Sequence, residues 1–221
     1  MSENPMDQGH VTVYHGGHML ELARRAYERS QKAATEAEVS IILSAVSVEA
    51  FLNEIADSAS RHADIPQVVA VADVLSETEK ANIQPQFKLR LAFMALTGRL
   101  PTRGDALMQD FEALMSLRNT LVHLKPQTVQ WPVEEDLAST NPQDLPKPIR
   151  HLTNTKVIRL AEKHPYTWRH LVSTPEVARW AYNVAVRAML DLAAAVPTGQ
   201  FKEVVRFHVD GLKELPPSGS A

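Results

Sequence analysis

The chain contains no cysteine in 221 residues. That excludes a disulfide framework, a thiolate zinc site and a cysteine nucleophile, and it fits a reducing compartment such as the cytoplasm. Excess positive charge is lacking too. The formal net charge is -3, whereas proteins that coat nucleic acid rely on many Lys and Arg to neutralise phosphates. A small, local RNA site stays open, because it needs only one cationic cleft and whole-chain charge says little about the field inside a cleft. The opening residues, MSENPMDQGHVTVYHGG, hold no apolar run of the signal-sequence kind. No later apolar stretch reads as approaching the roughly 20 residues of a spanning helix. The expectation is a soluble, cytoplasmic protein with no membrane partner.

What is present is an apolar content of 44%, enough for one sizeable core in a single domain. The polar lead ends near Gly17, and HMLELARRAYERSQKAA then reads as an amphipathic helix of good helix formers. From Glu36 to about His62 the segment EAEVSIILSAVSVEAFLNEIADSASRH is apolar on most sides, which marks a central, buried helix. Pro66 and Pro85 punctuate two shorter helix candidates, Gln67 to about Asn82 and Gln86 to Thr97. GRLPTRGD is a turn. Asp105 to about Lys125 reads as the next long helix, ended by Pro126.

Residues 126–173 carry Pro126, Pro132, Pro142, Pro146, Pro148 and Pro165, with a short helical possibility from Ile149 to Lys163. This reads as a long irregular insertion, of a length often used for binding segments or lids. Ser173-Thr174-Pro175-Glu176 is a helix start with Thr174 as N-cap, and the helix should run to about Val196. FKEVVRFHV fits a strand and a short helix equally poorly. The domain is therefore expected over residues 18–196, between weakly ordered flanks at 1–17 and 197–221.

Chemistry concentrates in LMSLRNTLVHLK, where Arg118 is followed by Asn119 and, five positions on, by His123. With 14 arginines and 9 histidines in the chain, about 0.6 such Arg–His spacings arise by chance, and a second pair, Arg159 and His164, does occur. Context separates them. The first pair lies in a helix with an aliphatic interior, the second in the proline-rich insertion. On a helix advancing about 100° per residue, Leu107, Phe111, Leu114, Leu121 and Val122 form one apolar stripe with Arg118 near its middle. A guanidinium placed there must meet a carboxylate, an anionic ligand or a water-filled cleft. Glu49, Asn53 and Asp57, at four-residue steps, make a polar stripe on the central helix and offer such partners. Equally, Arg118 and His123 fit an ordinary helix end, with His near the negative pole of the dipole and Arg in an internal ion pair.

The Arg118-Asn119-x-x-x-His123 segment resembles the active-site motif of the HEPN superfamily, and SVEAFLNEIA, residues 47 to 56, resembles the second core helix of several of its members. The resemblance implies an all-α, HEPN-like bundle of about five to six helices with the 126–173 insertion before the last core helix. It also implies a metal-independent endoribonuclease that needs no cofactor, of toxin–antitoxin, abortive-infection or other antiviral systems, partnered by RNA and by any antitoxin or regulatory protein. Members typically dimerise so that two motifs line one cleft. In that setting Arg118 and His123 would be catalytic, with His123 as general base or acid and Arg118 holding the phosphate. Asn119 would orient the ribose or the imidazole, and Glu49 or Asn53 would brace the pair. A catalytically inactive HEPN domain that binds RNA or nucleotide, or serves as a scaffold, fits the same residues if Arg118 is saturated by a carboxylate such as Glu49. A plain helical interaction module gripping a protein with its insertion is a third reading.

His10, His15 and His18 have no fixed geometry in a glycine-containing lead and read as a weak metal candidate. Of the tryptophans, Trp180 reads as core, and Trp131 and Trp168 as candidates for substrate or partner contact.

Overall fold

The computed structural model describes residues 14–62, 65–102, 104–123, 145–159 and 168–217. Among these the chain is all-α, with nine helices and no strand. They are α1 (Gly16–Ser30), α2 (Ala34–Arg61), α3 (Pro66–Lys80), α4 (Pro85–Thr97), α5 (Ala106–Val122), α6 (Lys147–Asn154), α7 (Trp168–Val172), α8 (Pro175–Ala195) and α9 (Gln200–Val209).

Local chemistry sets most of the boundaries. Proline opens α3, α4 and α8, where its missing N–H would have had no partner and its fixed φ suits the first turn. The Asp105 carboxylate accepts from the Met108 N–H at 3.1 Å, and the Thr174 hydroxyl accepts from the Val177 N–H at 3.4 Å. At the far end of α4, Gly98 takes φ 70°, the left-handed turn that stops a helix without a Cβ penalty.

Helix α2 is the axis of the bundle and packs against α1, α3, α5, α8 and α9. By length and composition alone it is apolar enough to cross a membrane, with mean hydropathy 1.6 over its richest window, half of which is buried inside the fold. In the sequence, serines and glutamates break its apolar run. Those serines let α1 come close. Ala23, Ala26, Ala37, Ser40 and Ser44 are all buried, and the Ser40 hydroxyl donates to the Ala23 carbonyl at 2.8 Å. At Gly16 an added Cβ would lie 3.1 Å from the Phe51 nitrogen, so α1 enters against the α2 backbone itself.

Three half-buried carboxylates join the helices. Glu38 of α2 accepts both Nε and Nη2 of Arg169 at 2.7 Å, together with the Ser173 hydroxyl at 2.5 Å. Glu54 accepts the backbone N–H groups of His15 and Gly16 at the start of α1 and faces His208 Nδ1 of α9 at 3.3 Å. Asp110 of α5 holds His151 of α6 at 2.7 Å and Arg187 of α8 at 3.0 Å, with the Trp180 indole N–H at 3.4 Å. Burial pushes each carboxyl up, but the donors outweigh it and hold all three below the ordinary range. Their folded-state pKa values lie below the unfolded ones. The stability they supply is therefore complete above the unfolded pKa, roughly pH 4, and is lost as pH falls through the folded values. Tm should hold down to that point and then fall steeply, which a thermal melt across pH 2 to 6 would read; a flat profile below pH 4 would contradict these joints.

Several elements differ from the sequence expectation. Val122 is 51% exposed, so the apolar stripe of α5 ends at Leu121. Helix α6 starts earlier and stops at Asn154, well short of Lys163. The short α7 had no forecast. FKEVVRFHV is helical, and Phe201 and Val205 are buried, so α9 is a packed element within the stretch expected to be weakly ordered. The bundle thus has more helices than the five or six expected. Of the short ones, α6 packs on α5 and α9 on α2 and α8, tertiary contacts that a brief apolar period does not encode.

Candidate functional site

Arg118 and Glu49 stand 69 residues apart in sequence and meet where α5 packs on α2. The Arg118 Nη2 donates to Glu49 Oε1. Its Nη1 donates to the Asn119 side-chain oxygen at 2.8 Å. Its Nε is buried and has no hydrogen-bond partner among the described residues. The two charged side chains are 21% and 28% exposed respectively, which makes this a desolvated pair rather than a surface ion pair. Burial pushes the Glu49 carboxyl up, against the pull of Arg118 and Lys88 and with the help of the nearby Glu79.

The pair lies on a groove of about 470 Å³ lined also by Asn53, Glu79, Lys88 and Met115. Lys88 is itself paired with Glu79 across the α3–α4 turn. Each cation on this groove therefore has a carboxylate, and a single copy of the chain presents no excess positive charge there. Glu79 and Lys88 escaped the sequence reading because their pairing depends on how α3 turns back onto α4, which no residue spacing encodes.

His123 does not line this groove. It caps α5, with its N–H on the Asn119 carbonyl at 3.0 Å, and its side chain is exposed. About 140° of helix rotation separates it from Arg118, and among the described residues no second element carries it back. So the structure brings Arg118, Asn119, Glu49 and Asn53 to one groove and leaves His123 on the outer surface, beside exposed Val122. Asp57, the third member of the polar stripe, pairs instead with Arg61.

The remaining candidates are dispersed. Among the described residues no three His, Asp or Glu side chains come together as a metal site; His15 and His18 are exposed, and His10 lies outside the described residues. Trp180 is buried at 8% exposure, Trp168 is partly buried against the core, and Trp131 and His164 lie outside the described residues.

Replacing Glu49 by Gln removes the charge that neutralises a mostly buried guanidinium while keeping the side-chain volume. We expect a loss of about 1–2 kcal/mol, read as a lower Tm. An unchanged Tm would show that the pair does not hold α5 to α2. Comparison of the chain with protein-family models, with curated proteins and with solved structures finds no match in any of the three.

Proposed function

We propose that the protein is a metal-independent endoribonuclease of the HEPN kind, with its RNA cleft completed across a homodimer. The observation that carries this reading is the convergence of Glu49, Arg118 and Asn119 on one groove, with His123 exposed at the end of the same helix. Such an arrangement leaves the imidazole free to serve a site built by a second copy. In the reaction the ribose 2′-hydroxyl attacks the adjacent phosphorus and the bond to the 5′-oxygen breaks. His123 takes the proton from the 2′-hydroxyl or supplies one to the leaving oxygen. Arg118 meets the negative charge that grows on the phosphate in the transition state, and Glu49 holds the guanidinium in position. By the same resemblance, a role as toxin or antiviral effector, restrained by an antitoxin or regulatory protein, is the setting we propose.

The test is incubation of purified wild type and His123→Ala with a mixed RNA substrate in EDTA, reading both fragments and end groups. Fragments ending in 2′,3′-cyclic phosphate from wild type alone are the expected result. Equal cleavage by both proteins removes His123 from the mechanism.

One observation favours a second reading, a catalytically silent domain that binds RNA or acts as a scaffold. Arg118 and Lys88 are each already paired with a carboxylate, as expected of a cation that has become structural. In that case neither protein cleaves RNA.

A further inference from the structure

A cleft of about 780 Å³ lies elsewhere, and the ribonuclease reading makes no use of it. Its walls come from four parts of the chain: the residues after α6, the end of α7, the face of α8 from Glu176 to Arg187, and the tail that follows α9. On α8, Arg179, Asn183 and Arg187 recur at four-residue steps and so share one face, about 6 Å apart. Asn183 fixes the tail against that face, accepting from the Leu215 N–H at 2.7 Å and donating to the Leu215 carbonyl at 3.0 Å. Arg179 donates to the Pro216 carbonyl at 3.1 Å. On the other wall Lys156 and Arg159 line the same space.

The charge here runs against the rest of the molecule. Lys156, Arg159, Arg179 and Arg187 face one cleft that holds two carboxylates, Glu176 and Glu214, in a chain whose net charge is -3. Arg187 is anchored from below by Asp110 and lies 3.9 Å from Glu214. Arg179 makes its hydrogen bond to a neutral carbonyl, and Lys156 and Arg159 have no ion-pair partner among the described residues. Lys156 also holds φ 61°, a conformation uncommon outside glycine and asparagine. It ends α6 with the Val157 N–H on the Leu152 carbonyl at 2.9 Å, a turn where glycine is the usual occupant. Four cations against two carboxylates in a concave site leave an excess of positive charge that raises the local potential for an anion. Guanidinium groups on two sides match the geometry of phosphate oxygens. Between them Leu171, Leu215 and the edge of Trp180 supply an apolar floor, and the volume is that of a small-molecule site.

We infer that this cleft binds a small organic phosphate carrying at least two phosphate groups, bridged between Lys156 and Arg159 on one wall and Arg179 and Arg187 on the other. The inference is independent of whether the chain cleaves RNA.

The experiment is calorimetric titration of the full chain with pyrophosphate and with adenosine diphosphate, using sulfate and a short single-stranded RNA as comparisons. Wild type should bind both diphosphates and bind sulfate at least about tenfold more weakly. The double variant Lys156→Ala/Arg159→Ala removes side chains that have no ion-pair partner among the described residues, so it should keep the wild-type Tm and lose at least about tenfold in diphosphate affinity. Arg118→Ala should bind them as wild type does, which separates this cleft from the groove on α5. Absence of binding at millimolar diphosphate, affinity unchanged in the double variant, or binding of RNA in place of the diphosphates would each overturn the proposal.

Discussion

His123→Ala is expected to lose roughly a hundredfold to ten-thousandfold in RNA cleavage, the range for removal of a general acid or base, with Tm within about 2 °C of wild type. The second half of that expectation follows from position. His123 caps the end of α5 with an exposed side chain, and among the described residues its contribution to the fold is its backbone N–H on the Asn119 carbonyl, which alanine keeps. Arg118→Ala should lose activity to a similar extent, and it should also lower stability, because Glu49 is left half-buried without its partner. If the cleft combines Arg118 of one copy with His123 of another, mixing the two inactive variants rebuilds one intact site in each mixed dimer. Random exchange then restores about a quarter of wild-type activity. Recovery on mixing would establish the shared cleft. If neither variant alone loses activity, the catalytic assignment fails; if both do and mixing restores nothing, the site lies within one chain.

The largest effect on the fold is expected at Asp110. Asp110→Ala should cost about 3 kcal/mol, a fall in Tm of roughly 6–12 °C for a chain of this size. Asp110 is 14% exposed and is the shared acceptor for His151, Trp180 and Arg187, so alanine leaves three donors from α6 and α8 without it. Arg187 is 34% exposed and retains Glu214 nearby, which keeps the cost at the lower end of the range for breaking a buried pair. Asp110→Asn retains an acceptor for the indole and imidazole but not the charge, and should fall between alanine and wild type. A shift below about 2 °C for alanine, measured by thermal melts at neutral pH, would mean that α6 and α8 are held by their apolar contacts alone. The acid profile then has to come from Glu38 and Glu54.

The helices were legible where local chemistry repeats or punctuates. Apolar periodicity marked α1, α2 and α5, and Pro66, Pro85 and Pro175 marked three helix starts to within a residue. The Thr174 cap was readable because a hydroxyl residue followed by Pro175 and Glu176 matches the preferences of the N-cap and the first helical turn. Helix α9 was not, since FKEVVRFHV fits neither period well and its state depends on whether Phe201 and Val205 find the surface of α2 and α8. Helix α7 is too short for any periodicity to register. At the site, the sequence placed Arg118 on a face where a charge requires a partner, and Glu49 was among the partners it offered.

The sequence by itself therefore determined the helical class, most helix starts and the demand for a counter-charge at Arg118, because these follow from backbone sterics, period and desolvation within a few neighbouring residues. Which residues meet was decided only by tertiary structure. Glu49 joins Arg118, Glu79 takes Lys88, Asp110 gathers three donors, and His123 is left outside. Each of these depends on distances between helices far apart in the chain, set by how small residues let α1 and α2 close and how α5 and α8 then pack against them.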